Sequence, residues 1–125
     1  MGCGIACVAY LENLQYEEVL RFVKNGGAKA GAQGFLCKDL VKILERLGKK
    51  TNYFYVKRRK KKPIYREGAI VFIKRSKRYP AGHYLCRHKN QWMDSWINLR
   101  ADKNTENATA GFRKRLPGRP IYVIF

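Results

Sequence analysis

Acidic residues are scarce in this sequence of 125 residues: 9 Asp and Glu stand against 27 Lys and Arg, a net charge of +18. Long apolar runs are missing too. None approaches the ~20 residues that a membrane span needs, and no basic segment leads into an apolar run with a small-residue cleavage site, as a signal peptide would. Cysteine is sparse: Cys3, Cys7, Cys37 and Cys86 are too few and too scattered for the disulfide framework of a small secreted domain. These absences point to a reducing, cytoplasmic setting. Neither an internal repeat nor a Pro- or Ser-rich linker divides the chain, so residues 1–125 read as one domain. What is present in quantity is apolar and aromatic side chain, 46% and 13% of residues, which excludes a disordered tail despite the charge. The excess of cations predicts solubility, attraction to polyanions and salt-sensitive association, and says nothing of fold.

The apolar periodicity changes along the chain. Ile5, Val8, Ala9, Leu11 and Leu14, then Val19, Leu20, Phe22 and Val23, recur at helical spacings from Gly4 to about Lys24. The segment Asn13 to Tyr16 interrupts them, with Asn13 or Gln15 starting a second helix, and Asn25-Gly26-Gly27 reads as its stop. A small-residue loop, Ala28 to Gly34, precedes a third helix over 35–47, whose stripe is Leu36, Leu40, Ile43, Leu44 and Leu47. From Thr51 the period falls to two. Thr51–Val56, Ala69–Ile73, His83–Arg87, Gln91–Trp96 and Ile121–Phe125 read as strands, with a turn at His88-Lys89-Asn90 and a polar loop from Asp102 to Thr109. Helices first and an antiparallel sheet afterwards define an α+β domain.

Three residues carry chemistry in this order. Cys3 stands between Gly2 and Gly4 at the start of the first helix, where unpaired backbone N–H groups and the helix dipole favour a thiolate. Cys7, one turn later, has the character of a small buried hydrophobe. His83 follows Gly82 at the mouth of a strand and shares a strand face with Leu85 and Arg87. Asp94 lies across the hairpin within cross-strand reach of His83, where a carboxylate fixes an imidazole tautomer and stabilises its cation. Nucleophile, base and orienter are thus all represented.

The run Cys3-Gly4-Ile5-Ala6-Cys7-Val8-Ala9, the strand Gly68-Ala69-Ile70-Val71-Phe72-Ile73, then Gly82-His83-Tyr84-Leu85 and Met93-Asp94-Ser95-Trp96 resemble, in content and order, the double-glycine, bacteriocin-processing cysteine peptidases. The resemblance spans most of residues 3–98. It implies a papain-like fold with N-terminal helices packed on an antiparallel sheet, and a Cys-His-Asp triad. Cys3 would be the nucleophile, His83 the general base and then acid, and Asp94 the orienter. A peptide or protein substrate cut after small residues such as Gly, and no cofactor, are implied as well. Gly2 stands where the family has Asp, the family's oxyanion-hole Gln has no counterpart ahead of Cys3, and Ser95 replaces its usual Pro.

A second function class competes. The basic clusters Lys57–Lys62, Lys74–Arg78 and Arg113–Arg119 lie beside Tyr53, Phe54, Tyr55, Tyr65 and Tyr79. Phosphate neutralisation with aromatic stacking is how single strands are held, so a nucleic-acid-binding or RNase toxin-like domain on a papain-like fold, or an acidic protein partner, is the alternative. The same aromatics read largely as core-facing strand residues. Zinc has little support, because the Cys3–Cys7 spacing lacks a second close ligand pair.

Overall fold

The computed structural model describes residues 3–22, 37–57, 59, 62–97 and 110–125. Among these residues three helices, α1 (Cys3–Glu12), α2 (Tyr16–Leu20) and α3 (Cys37–Arg46), precede β1 (Tyr53–Tyr55), a short 3-10 turn (Lys62–Tyr65), β2 (Ile70–Ile73), β3 (His83–His88), β4 (Gln91–Asp94), β5 (Gly111–Arg113) and β6 (Pro120–Ile124). The protein is therefore α+β, with one antiparallel sheet in the order β1-β6-β2-β3-β4-β5.

The helices differ in how they are used. In α1, Cys3, Gly4, Ile5, Cys7, Val8 and Ala9 are all buried, so this helix is apolar around most of its girth and lies inside the core. The α3 helix buries only the stripe Leu40, Ile43 and Leu44 and turns Lys42, Glu45 and Arg46 to solvent. Asn13, at φ 55°, breaks α1 from α2, and Gln15 caps α2 reciprocally with Glu18, as the interruption at 13–16 predicts. Gly4 lets α1 settle between its neighbours, since a Cβ there would stand 2.9 Å from Leu40 Cδ1 and 3.2 Å from Tyr84 Cδ2.

Strand alternation sorts the sheet into two faces. Ile70, Phe72, Tyr84 and Cys86 face the helices, with Cys86 against Cys7. Val71, Ile73, His83, Leu85, Trp92 and Asp94 point to the other face, where Tyr65 meets Trp92 and where Tyr79 and Trp96 meet His83. Both faces are buried near the centre of the sheet, which explains the continuous apolar run of β2. Positive φ at Lys89 and Asn90 makes a two-residue hairpin turn whose twist matches the strands, so His88 pairs with Gln91 and belongs to β3.

Several expectations are adjusted. The β4 strand stops at Asp94 because the Asp94 carboxylate takes the Trp96 N–H at 2.9 Å. The β5 strand has no counterpart in the sequence reading, since Gly111-Phe112-Arg113 is too short to show a period. The aromatics of β1 are not core residues: Tyr53, Phe54 and Tyr55 are 43%, 45% and 61% exposed on an edge strand. The stops and loops at residues 25–34 and 102–109, and Phe35 and Leu36, lie outside the described residues.

Gly82 sets the geometry immediately before His83. Its φ is +78°, and a Cβ would fall 2.2 Å from Phe72 Cζ and 2.9 Å from the Ile73 carbonyl oxygen. Gly82→Ala is expected to cost about 3 kcal/mol, combining left-handed strain with overpacking. Urea unfolding measures this directly; an unchanged midpoint would contradict the close packing of that turn.

Candidate active site

The three residues singled out by sequence converge. Cys3 occupies the first position of α1, and the backbone N–H of Tyr84 donates to its sulfur at 3.4 Å. That donor and the free N–H groups of the helix start are dipoles that stabilise negative charge on sulfur. The contact joins residues 81 apart in sequence and brings the helix start to the mouth of β3.

His83 and Asp94 sit on one face of adjacent strands. The register puts Cys86 opposite Met93, so Asp94 lies diagonally from His83, and His83 Nε2 stands 2.7 Å from Asp94 Oδ1. Both side chains are fully buried. Asp94 also accepts the Trp96 N–H at Oδ1 and, at 2.6 Å, the Nε–H of Arg113 at Oδ2. Each carboxylate oxygen is therefore engaged with positive or donor partners. Burial alone would push Asp94 upward, but His83, Arg113 and the Trp96 amide outweigh it and hold the carboxyl down at about 2. An ionised Asp94 only accepts, so the proton shared with it belongs to His83 Nε2. That leaves Nδ1 without a partner.

The charge state of His83 follows from the same contest. Burial disfavours the imidazolium, yet the hydrogen bond to Asp94 and the neighbouring Cys3 sulfur raise it from 6.5 to about 9. Nδ1 is buried and forms no hydrogen bond of ordinary geometry, although the sulfur is near enough to act on the ring. The atom that would pass a proton to or from Cys3 is thus uncommitted. A raised His83 contributes stability that is complete below pH 6.5 and lost as pH rises through about 9. A depressed Asp94 contributes above pH 3.8 and loses its contribution as pH falls through about 2. The ion pair is consequently strongest between about pH 4 and 6.5.

Three residues around this pair escape sequence reasoning. Tyr79 stacks on the imidazole at 4.4 Å with parallel planes, and Trp96 stacks at 4.7 Å and 26°. Two rings this close cannot share one face, so the imidazole is held between them. Water is excluded from both faces, which strengthens the bond to Asp94. Arg113 reaches Asp94 from β5. The sequence placed Arg113 and Tyr79 in basic, aromatic clusters suited to a polyanion; the fold turns both inward toward Asp94 and His83. Within the third cluster, Lys114, Arg115 and Arg119 remain exposed. Trp96 has a legible signal only in hindsight, as the second residue after Asp94.

The other thiols are differently placed. Cys7 is fully buried, and burial and Cys86 push it well above an ordinary thiol. Cys37 is only partly buried, lies 3.6 Å from the Tyr84 hydroxyl, and is also raised, chiefly by burial. Neither has an imidazole at hand.

Compared with models of protein families, with curated proteins and with solved structures, the chain matches none. The arrangement can supply a nucleophilic sulfur beside dipolar donors, an imidazole with one free nitrogen, and a carboxylate that fixes the tautomer of that imidazole. Among the described residues, no helix is long and apolar enough to cross a membrane, and no group of three or more His, Cys, Asp and Glu side chains could hold a metal ion.

Proposed function

We propose that the protein is a cysteine-dependent hydrolase of peptide bonds, on a papain-like fold related to the double-glycine leader peptidases. One observation carries the reading: His83 gives Nε2 to Asp94, its Nδ1 has no partner, and the Cys3 sulfur at the helix start is near enough to act on the imidazole. The sulfur attacks the substrate carbonyl carbon, forming a C–S bond and an oxyanion. The backbone N–H groups at the start of α1 are donors for that oxyanion. Nδ1–H of the His83 cation then protonates the leaving amine as the C–N bond breaks, giving a thioester. Neutral His83 next takes a proton from water, whose oxygen attacks the thioester carbon; the C–S bond breaks, the acid is released, and the Cys3 thiolate is restored beside the His83 cation. Asp94 stays ionised throughout and steadies the cation in each half-reaction. Cleavage after small residues such as Gly belongs to this reading, as does cytoplasmic action.

Alkylation separates activation from mere access. Cys37 is more exposed than Cys3, so an accessibility-controlled reagent labels Cys37 first. Iodoacetamide followed by peptide mass mapping near pH 7 is expected to modify Cys3 ahead of Cys37, Cys7 and Cys86. A peptide ending in Gly-Gly-aminomethylcoumarin is expected to be hydrolysed by the wild type and not by Cys3→Ala. Labelling of Cys37 before Cys3, with no hydrolysis, would remove the enzymatic reading.

A further inference from the structure

The edge of the sheet farthest from Asp94 presents aromatic rings to solvent. On the helix-facing side, Tyr53 and Tyr55 of β1 lie edge-on to Tyr122 at 6.4 and 6.0 Å, and Tyr122 lies 6.4 Å from Phe72. Strand alternation explains the row, because Tyr55, Tyr122 and Phe72 are register partners across three strands. Tyr55 is 61% exposed and Tyr53 43%. Rings that burial does not require, set side by side, are rare on a chain whose core is already well supplied with Trp, Tyr and Phe.

Cations border the row. Val56 N–H bonds to the Ile121 carbonyl and Lys74 N–H to the Arg119 carbonyl, each at 2.8 Å. These bonds bring Lys57, Lys74 and Arg119 to the same end of the sheet, two residues or about 7 Å beyond Tyr55 and Phe72 along their strands. All three side chains are exposed, as is Arg59. Acid is absent from this part of the chain: no Asp or Glu stands between Arg46 and Arg66, between Gly68 and Met93, or after Glu106. The negative side chains of the described residues belong instead to the three helices and their joints, to Glu67, and to the buried Asp94.

We infer that this edge binds single-stranded nucleic acid, with Tyr53 and Tyr55 stacking on bases and Lys57, Lys74 and Arg119 neutralising phosphates. The rings decide between polyanions. An acidic peptide would satisfy the cations and leave the tyrosines without a flat partner, whereas every unpaired base has a π-face and a phosphate attached to it. A duplex hides its bases and would use the cations alone. The row runs toward the Cys3–His83 pair through Phe72, whose ring lies 4.9 Å from that of Tyr84, but the inference does not depend on the hydrolase reading.

The test is fluorescence anisotropy of a labelled 12-nucleotide oligo-dT and oligo-U, titrated with the full chain over a salt series. Tyr53→Ala with Tyr55→Ala is expected to weaken binding by about 10- to 100-fold, and Tyr53→Phe with Tyr55→Phe to retain it. Lys57→Ala with Arg119→Ala is expected to lower the slope of log K against log salt by about 1.4. Cys3→Ala should bind as the wild type does, which keeps this result independent of hydrolysis. Circular dichroism confirms that each variant is folded. Binding of a labelled poly-glutamate peptide as tight as that of the oligonucleotides, or oligonucleotide affinity untouched by removing both tyrosine rings, would overturn the inference and leave a nonspecific cationic surface.

Discussion

Asp94→Ala is expected to lose about 3–5 kcal/mol of folding stability at pH 5, because it strands two cations that share one buried anion. Asp94 is fully buried and receives His83, Arg113 and the Trp96 amide. Once the carboxylate is gone, Arg113 can swing outward, since its side chain is 22% exposed, but His83 is held between Tyr79 and Trp96 and cannot follow. The imidazole must then lose its proton instead. The penalty is therefore expected to shrink between pH 5 and pH 9, where His83 is neutral in the variant and is losing its charge in the wild type. Urea denaturation at the two pH values tests the sign. A penalty that is the same at both, or larger at pH 9, would mean that the His83–Asp94 ion pair is not what the substitution removes. Arg113→Ala should cost less, because it leaves Asp94 with His83 and the Trp96 amide.

The second large effect concerns reactivity. His83→Ala is expected to slow alkylation of Cys3 near pH 7 by about 10²-fold, since it removes the imidazole that stands beside the sulfur and can take its proton. The wild-type rate should follow the charge of His83 and so alter as pH passes about 9. In the variant that change near pH 9 should be absent. Stopped-time labelling with mass spectrometry provides both profiles. Parallel profiles for the two proteins would show that the imidazole has no hold on the sulfur, and the mechanism proposed for Cys3 would fall with it.

Much of this architecture is legible from local pattern. The break at Asn13–Tyr16, the stripe Leu40-Ile43-Leu44 and the apolar run of β2 each declare themselves within a few residues, because helix and strand periods are short-range properties. Cys3, His83 and Asp94 are legible for a different reason: each is a chemically distinctive side chain beside a glycine or a turn. What is hidden is whatever depends on the order of strands. Arg113 reads as one more surface cation until β5 lays it beside Asp94, and Tyr79 as a neighbour of lysines until its loop folds over His83. Conversely, Tyr53, Phe54 and Tyr55 have the alternation of a buried strand and become solvent-facing only because β1 ends up at the margin of the sheet. Residue type predicts burial in the mean, while position in the sheet decides it in the particular case.

The place of β6 has a consequence for how the chain matures. Residues 120–124 fill the gap between β1 and β2, and among the described residues β1 has no other strand beside it. During synthesis the aromatic segment 53–55 leaves the ribosome well before its partner exists. The hairpin of β3 and β4, by contrast, is local and can pair His83 with Asp94 early. Before residues 120–124 are made, the chain thus carries the acid–base pair but also an unzipped margin of tyrosine and phenylalanine, and β6 must later insert between β1 and β2. Closure of that kind is slow, because β6 pairs with strands about 50 to 70 residues earlier in the sequence. The dense positive charge nearby then acquires a use at the moment of greatest exposure: it keeps unfinished copies apart.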